Sequence, residues 1–228
     1  MAALHPPVEE YLRAVHELEE EGTEAIQARL AERLHLSAPS VSEMVRRLER
    51  DGYMELLPDR RIRLTGTGRE YAEKIVRRHR LAERLLIDIL GLDWALAHIE
   101  AEKFEHVISE AVEERIIAIL GGPTTCPHGN PIPGLHPGGP DPTQPLSATA
   151  PGDELFLRRL TEDVEIDFPS LRYLGDTGFI PGQAARVLAV APDGGVTVEV
   201  GGSPVAIGPW LARHLFVEVS APGHAVPA

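Results

Sequence analysis

The segment EAEKFEHV, residues 100–107, concentrates side chains that can bind a cation. Glu102, Glu105 and His106 bring two carboxylates and an imidazole into five consecutive positions. Residues three and four apart are neighbours on a helix, so a helix here places them and His98 within an arc of roughly 100°. The opposite arc carries the apolar residues Phe104, Val107, Ile108 and Ala111. Neighbouring carboxylates repel one another unless a positive charge lies between them, so the first arc predicts a divalent metal site.

Glu10, on the first predicted helix, is the candidate for a further ligand of this site. Oxygen-rich ligation with one imidazole suits Mn²⁺ or Fe²⁺ better than it suits Zn²⁺ held by thiolates. The donor types therefore favour one of these two ions.

A second set of donors lies outside that segment. His79 and Glu83 are four residues apart on a long predicted helix, and His98 can join them from the next helix. Cys126 and His128, in the turn-rich stretch TCPHG, can both face one ion. A lone Glu–His pair is usually a solvated helix face, and this remains the alternative for each group taken singly. The combination of acids and histidines across two helices favours a metal.

Composition limits the class of protein. The 228 residues carry a formal charge of −13, which is the wrong sign for coating nucleic acid and suits cation binding. The single cysteine excludes an internal disulfide, and the N-terminus lacks a basic region followed by an apolar core. The longest apolar run is too short to span a membrane. We therefore expect a cytoplasmic protein with no membrane partner.

The first 65 residues predict a winged helix-turn-helix. Apolar residues recur at helical spacing over residues 8–21 and 25–34, and a third helix follows Ser37, a favourable N-cap with Pro39 in the first turn. Two short strands then flank a Pro-Asp turn. Helix, tight turn, helix and hairpin are typical of DNA-binding proteins that insert the third helix into the major groove.

The outward side chains of the third helix and the hairpin can contact DNA. Serines near the helix start can reach phosphates or base edges, Glu43 can accept from a cytosine amine, and wing arginines can meet phosphate. The alternative is an ordinary helical hairpin with a solvated charged face. The candidate DNA-contacting residues are Ser37, Pro39, Ser40, Ser42, Glu43, Arg47, Arg50 and Arg60.

The composition and patterning of the rest of the sequence change twice. Residues 66–122 predict a helical domain, and residues 123–152 form a Pro- and Gly-rich linker with some ordered turns. Residues 153–220 alternate apolar and polar positions between Gly and Pro turns, which predicts a small all-β barrel or sandwich. The fold class is therefore mainly α with a small all-β domain.

Several stretches closely resemble the diphtheria toxin repressor family of metal-dependent transcriptional regulators. The resemblance is strong over residues 8–135, and the stretches that carry it are EYLRAVHELEEEG, ARLAERLHLSAPSVSEMVRRLERDGY, RRHRLAERLL, FEHVISEAVEERI and GNPIPG. The family implies a winged helix, a helical metal-binding and dimerisation domain, and an SH3-like (FeoA-like) barrel over residues 153–220. It also implies a homodimer that represses metal-uptake genes from palindromic operator DNA, with metal as co-repressor.

The resemblance also bears on the metal. Iron-responsive members have a methionine and a cysteine where this sequence has Glu10 and Glu102, whereas the manganese-responsive branch has carboxylates there. Glu105 and His106 match the family directly. The resemblance therefore implies Mn²⁺, with Fe²⁺ as the alternative. Two-domain manganese regulators hold a pair of ions through a further acid on the first helix, but the matching residue here is Arg13, so that pair is not expected.

The family offers two patterns for a second site. Iron-responsive members use residues that match His79, Glu83 and His98. Some three-domain manganese regulators use residues that match Glu83, Cys126, His128 and an aspartate of the C-terminal domain, which is Asp163 here, with Asp167 as its rival. The TCPHG match favours the second pattern, and its thiolate would let Zn²⁺ or Cd²⁺ compete in vitro.

Two other function classes compete with a metal-dependent regulator. A carboxylate-bridged metal hydrolase or oxidase would need Glu-x-x-His pairs on two helices or an HExxH motif, and the sequence has neither. We therefore expect no enzyme. A winged-helix regulator that answers to an organic effector would bind DNA without metal.

Overall fold

The computed structural model of the chain describes residues 6–139 and 141–220. The chain divides into two compact units, Met1–His79 and Arg80–Ala228. Among the described residues, no helix is both long enough and apolar enough to cross a lipid bilayer.

The first unit is a helix-turn-helix followed by a β-hairpin. Its elements are α1 Pro6–Glu20, α2 Gln27–Arg33, α3 Ala38–Arg50, β1 Met54–Leu56, β2 Ile62–Leu64 and the first part of α4 Gly66–Arg84. The strands β1 and β2 pair antiparallel, with Met54 opposite Leu64. Leu12, Leu30 and Leu48 from the three helices meet in one buried cluster with residues of the hairpin. The predicted winged helix is confirmed.

The α3 helix begins and ends where local chemistry predicts. The Ser37 Oγ accepts a hydrogen bond from the backbone N–H of Ser40 at 3.3 Å, as an N-cap does. Val41, Val45 and Leu48 recur at helical spacing and are buried. Gly52 follows the helix at φ +81°, a left-handed conformation that glycine adopts without strain. The opposite face of α3 is therefore free to carry polar residues.

The hairpin is joined firmly to α4. The Thr65 hydroxyl donates to the carbonyl of Gly52 at 2.7 Å and accepts from the N–H of Gly68 at 3.1 Å. A Cβ on Gly68 would lie 1.9 Å from the carbonyl oxygen of Tyr53. Only a residue without a side chain allows this close approach of the two backbones.

The helical part of the second unit is more broken than the sequence predicted. After α4, a single π-helical turn covers Leu85–Ile89 and a 3₁₀ turn covers Trp94–Leu96. Two α-helices then follow, α5 Ala97–Phe104 and α6 Glu110–Ile119. A buried cluster of apolar residues, including Leu81, Ala101 and Ile116, packs these elements together.

The expectation that one helical face runs from His98 to Ala111 is wrong. The α5 helix ends at Phe104, and Val107 is 76% exposed instead of packed. Ser109 accepts a hydrogen bond from the N–H of Val112 at 3.4 Å and so starts α6 as its N-cap. This cap interrupts the helical spacing of the four apolar residues expected to pack together. Of these four, only Ile108 is buried.

The β part of the second unit is an antiparallel sheet. Within the described residues, six strands form it in the order β3-β8-β4-β5-β6-β7. The strands are β3 Gln144–Pro145, β4 Glu154–Leu160, β5 Ala184–Val190, β6 Val196–Val200, β7 Ser203–Ile207 and β8 Leu215–Val219. Short helices connect them: α7 Glu162–Glu165, α8 Phe168–Thr177 and α9 Pro209–His214. The predicted small all-β domain is confirmed, with β3, β7 and the three helices in addition.

The Pro- and Gly-rich stretch is ordered around the TCPHG motif. The N–H of Cys126 donates to the carbonyl of Asn130 at 2.8 Å, and the N–H of Leu160 donates to the carbonyl of His128 at 3.0 Å. Gly129 has φ +91°, and a Cβ there would lie 1.9 Å from the carbonyl oxygen of Arg158. The loop is therefore tied to strand β4 by backbone contact.

We expect Gly68→Ala to lower the free energy of unfolding of the first unit by about 1–3 kcal/mol, because the new methyl group overlaps the Tyr53 carbonyl. Gly66→Ala is the matched control on the same helix, since a Cβ at that position meets nothing within 4 Å. Its free energy of unfolding should change by less than about 1 kcal/mol. Urea unfolding followed by circular dichroism measures both, and equal midpoints for the two variants would contradict the close approach.

Candidate metal centre

Four buried donor side chains converge in the second unit. Glu83 comes from α4, Cys126 and His128 from the TCPHG loop, and Glu165 from the end of α7. One ligand atom from each lies within 4.8 Å of those of the other three. Each of these residues is at most 2% exposed. We call this group the cysteine cluster.

The two carboxylates of the cysteine cluster face the imidazole of His128. Its Nδ1 lies 3.2 Å from Oε1 of Glu83 and 3.0 Å from Oε2 of Glu165. The other oxygen of Glu165 accepts a hydrogen bond from the side-chain amide of Asn130. The ring of Trp94 packs against the His128 ring with 4.8 Å between their centroids. The carboxylates are thus held in place, and an apolar ring covers the imidazole.

His98, on α5, contacts the same two carboxylates. Its Nδ1 is 3.2 Å from Oε1 of Glu83 and 3.3 Å from Oε2 of Glu165. Its Nε2 is 3.4 Å from Oε1 of Glu162 and 3.9 Å from Oε1 of Glu102. One ligand atom each of His98, Glu162 and Glu165 also lies within 4.8 Å of the others, and we call this group the histidine cluster.

The buried charges shift one another's pKa. Burial alone lowers the pKa of His98 and of His128, but the surrounding carboxylates outweigh it and raise both well above the usual range. Burial by itself raises the pKa of Glu165, but the charge of His128 holds it below its ordinary value. Burial and the negative charges of Glu83 and Glu165 raise the pKa of the Cys126 thiol to about 12. The buried acids therefore favour the protonated form of both imidazoles.

The donor set fits a divalent metal ion. Carboxylate, imidazole and thiol are the side chains that bind transition metals, and they must lose protons to do so. The Nε2 atom of His128 is buried and has no hydrogen-bond partner among the described residues. A positive ion in this place would take over the charge balance that protons supply. Glu83, Cys126, His128 and Glu165 are the residues that would hold it.

The structure corrects the aspartate expected in this group. Asp163 lies on the same short helix as Glu165 but two positions earlier, so it faces away and lies 3.8 Å from Nδ1 of His214. Its rival Asp167 caps α8 and accepts from the N–H of Ser170 at 3.2 Å. The carboxylate that meets Cys126 and His128 is Glu165.

The residues of the first predicted site fall on two units. Glu102 lies on α5, Glu105 is its C-cap and is buried, and His106 follows in the turn, with its Nε2 3.6 Å from Oε1 of Glu105. Glu10 lies on α1 in the first unit, with its carboxylate 3.2 Å from the guanidinium of Arg13. His79 lies on α4, one turn before Glu83.

The predicted DNA-contacting side chains lie on α3, on its N-cap Ser37 and in the turn of the β-hairpin. Apart from the half-buried Ser42, they are exposed in the described structure. Arg47 makes a 3.6 Å ion pair with Asp51 at the end of α3, which leaves its side chain 52% exposed. Arg60 is at φ +68° in the hairpin turn. The first unit therefore presents a polar face with arginines, although the chain as a whole is acidic.

Sequence reasoning missed Glu162, Glu165 and Asn130. All three are buried polar residues that lie among the donors of the two clusters or contact one of them. The spacing of the acids in EDVE, residues 162–165, puts Glu162 and Glu165 one helical turn apart and could have indicated a paired site. Asn130 lies in the GNPIPG stretch that resembles the family, but its residue type is equally typical of a turn.

Comparison with known families identifies each part of the chain. Residues 3–62 match the family described as "Iron dependent repressor, N-terminal DNA binding domain". Residues 65–134 match "Iron dependent repressor, metal binding and dimerisation domain", and residues 144–219 match "FeoA domain". The C-terminal sheet is thus the SH3-like domain of this architecture.

Individual relatives agree with the family. The iron-dependent repressor IdeR of Mycobacterium tuberculosis is 43% identical over 212 residues, which cover 89% of this chain and 92% of that protein. The diphtheria toxin repressor of Corynebacterium diphtheriae is 38% identical over 226 residues, covering 96% and 99%. Among solved structures, a manganese-dependent transcriptional repressor in complex with manganese superposes with a TM-score of 0.84 at 33% identity, covering 93% of this chain and all of that one.

These relatives are transcriptional repressors and not enzymes, which confirms the expectation that the chain does not catalyse a reaction. They are named for iron in some cases and for manganese in others. The buried donors, the winged helix and the comparisons lead to one conclusion: this chain belongs to the iron-dependent repressor family, whose diphtheria toxin repressor and IdeR members are metal-dependent DNA-binding transcriptional repressors.

Proposed function

We propose that this chain is a manganese-responsive repressor of metal-uptake genes, in which Mn²⁺ is the co-repressor of a homodimer bound to palindromic operator DNA. The observation that carries the proposal is the carboxylate-rich end of α5, where buried Glu105 lies beside His106 and one turn after Glu102. Carboxylates are the donors that Mn²⁺ prefers. The manganese-dependent repressor that superposes on most of this chain supports this choice.

Glu10, Glu102, Glu105 and His106 are the proposed ligands of the regulatory ion, with Glu10 included on the sequence resemblance. A bound cation supplies the positive charge that lets these carboxylates lie together. If Glu10 on α1 and the acids of α5 bind the same ion, that ion would restrict the position of the DNA-reading unit. In a dimer this favours a spacing of the two α3 helices of about 34 Å, one turn of the major groove.

The cysteine cluster is the proposed second site. Glu83, Cys126, His128 and Glu165 come from α4, the TCPHG loop and α7, so an ion there would tie the loop and the β domain to the helical core of the second unit. The thiolate is a soft ligand, which lets Zn²⁺ or Cd²⁺ compete with Mn²⁺. An ion at this site stabilises the metal-bound form of the protein, and the site itself does not contact DNA.

DNA reading is proposed for the exposed face of α3 and the hairpin. Ser37 and Ser40 at the start of the helix are placed to contact phosphate or base edges, and Arg47, Arg50 and Arg60 add positive charge. Because the formal net charge of the chain is −13, DNA binding depends on this local surface with its arginines. A metal ion at the acidic sites also reduces the negative charge of the protein.

An iron-dependent regulator is the second candidate. Curated relatives that are 43% identical carry iron in their names, and a carboxylate and imidazole site also accepts Fe²⁺. The two candidates differ in the ion that switches DNA binding on, and a direct titration separates them.

Manganese should switch operator binding on. We expect the affinity of the metal-free full chain for a labelled fragment of its own upstream DNA to rise by about 5–150-fold on adding Mn²⁺ at fixed salt, a typical allosteric coupling. Fluorescence anisotropy measures the affinity, with anaerobic Fe²⁺, Zn²⁺ and a chelator as parallel titrations. A response to Fe²⁺ alone would favour the iron candidate, and equal binding with and without metal would contradict both.

Glu105→Gln should abolish that metal response and leave the fold intact, because it removes one charged ligand at nearly constant size. Glu114→Gln is the matched control, since Glu114 is an exposed glutamate on the following helix. The control should respond to Mn²⁺ as the wild type does. Circular dichroism verifies the fold of each variant, and a full Mn²⁺ response in Glu105→Gln would exclude Glu105 as a ligand.

Cadmium should report directly on the second site. Cys126 is the only cysteine of the chain, so a thiolate-to-cadmium charge-transfer band in the ultraviolet can arise only from it. We expect one such band per chain, absent in Cys126→Ser, although Cys126 is buried and its thiol pKa is raised when no metal is present. Ultraviolet difference spectra during a Cd²⁺ titration test this, and a titration without the band would remove Cys126 from the ligand set.

A further inference from the structure

We propose that His35, in the turn between α2 and α3, contacts a phosphate of the operator backbone through its imidazole. The inference rests on the DNA reading proposed for α3 and the hairpin, and it adds a residue outside that set. A phosphate contact positions a protein on the duplex and carries no sequence information directly.

The first argument is a comparison of three turns. The helices α1, α2 and α3 end with the same pair of backbone hydrogen bonds, in which one N–H donates to the carbonyl three positions before it and the next N–H to the carbonyl five positions before its own. The first of these bonds measures 3.1 Å at Gly22, 3.2 Å at His35 and 3.1 Å at Gly52. The φ angles are +68°, +51° and +81° in the same order. Glycine thus forms this turn after α1 and α3, and only the turn that leads into α3 has a side chain there.

The second argument is the strain that the side chain introduces. In the left-handed region a Cβ crowds the following carbonyl oxygen, so glycine is the residue that closes a helix in this way without strain. A glycine at position 35 would make the same two backbone hydrogen bonds. In the described structure His35 is exposed, and its side chain makes no hydrogen bond or ion pair. No polar contact within the described fold therefore accounts for the imidazole.

The third argument is where such strain occurs. Among the described residues, the one other non-glycine residue with a positive φ is Arg60, in the hairpin turn. Arg60 is exposed and is already a predicted DNA-contacting residue. Both positions lie within residues 3–62, which match the DNA-binding domain family. Backbone strain clusters at functional sites, and here both strained side chains lie on the domain that binds DNA.

The fourth argument is the position of His35 in the motif. In helix-turn-helix proteins the helix before the recognition helix crosses the DNA backbone, so the end of α2 is expected near phosphates. His35 lies two residues before Ser37, the N-cap of α3, and residues 35–40 are all exposed. An imidazole N–H is a hydrogen-bond donor, and phosphate oxygens are acceptors. His35 therefore extends the predicted phosphate contacts of Ser37 and Ser40 from α3 back into the turn.

The test replaces His35 by residues that all tolerate the left-handed turn, in His35→Gly, His35→Asn and His35→Asp. Fluorescence anisotropy in excess Mn²⁺, at fixed salt and pH, gives the affinity of each full chain for its own upstream DNA and for a random-sequence fragment of equal length. We expect His35→Gly to bind both fragments about 10-fold more weakly, which corresponds to the loss of a hydrogen bond to a charged group. His35→Asn keeps a donor and should lose less, whereas His35→Asp adds a negative charge and should lose most.

Protein stability separates a DNA contact from a role in the fold. The urea midpoint of His35→Gly should equal or exceed that of the wild type, because glycine relieves the strain of the turn. A lower midpoint accompanied by weaker binding would assign the imidazole to the fold and overturn the contact.

The pattern across variants and fragments decides the rest. Unchanged affinity in His35→Gly, or equal losses in His35→Gly and His35→Asp, would overturn the phosphate contact. A loss confined to the operator fragment would also overturn it, because a phosphate contact does not depend on sequence. In each of these cases the wild type still binds its operator and the proposed function stands. A wild type that binds neither fragment would overturn the proposed function and this contact together.

Discussion

The burial of acids governs the second unit. Glu83 and Glu165 are almost fully inaccessible to water, and a buried carboxylate without a positive partner costs several kcal/mol. The negative charges of the neighbouring acids raise the pKa of His98 and of His128 against the effect of burial, so protonated imidazoles can supply the positive charge. Protons and a metal ion can each supply this positive charge, so protonation of these side chains and metal binding to them are linked.

The same constraint accounts for the loop and the short helix next to it. Cys126 and His128 reach the acids only because Gly129 lets the backbone pass the Arg158 carbonyl, and because Leu160 donates to the His128 carbonyl. Glu165 reaches them from α7, which directly follows β4 in the chain. The β domain therefore contributes to the donor cluster through its backbone contacts as well as through the side chain of Glu165.

Much of the fold, but less of the site, could be predicted from the sequence. Signals for α3 are local, since Ser37, Pro39 and the spacing of Val41, Val45 and Leu48 all act within one helix. The choice of Glu165 over Asp163 depends on how α7 packs against the loop that contains Asn130. Asn130 and Glu165 are 35 residues apart in the sequence, and no local signal encodes a contact at that separation. The break after Phe104 was missed because Ser109 is a helix cap within an otherwise helical pattern.

The α5 helix carries Glu102 of the proposed regulatory site and also His98, which contacts the acids of the second site. On α5, His98 belongs to the histidine cluster, and Glu102, one turn later, to the proposed regulatory site, with 3.9 Å between Nε2 of His98 and the Glu102 carboxylate. An ion bound beside either residue would alter the charge around this helix. If the two proposed sites are coupled in this way, linkage requires that each changes the affinity of the other by the same factor. The turn from His98 to Glu102 is therefore the place where the two groups of donors come within 3.9 Å of each other.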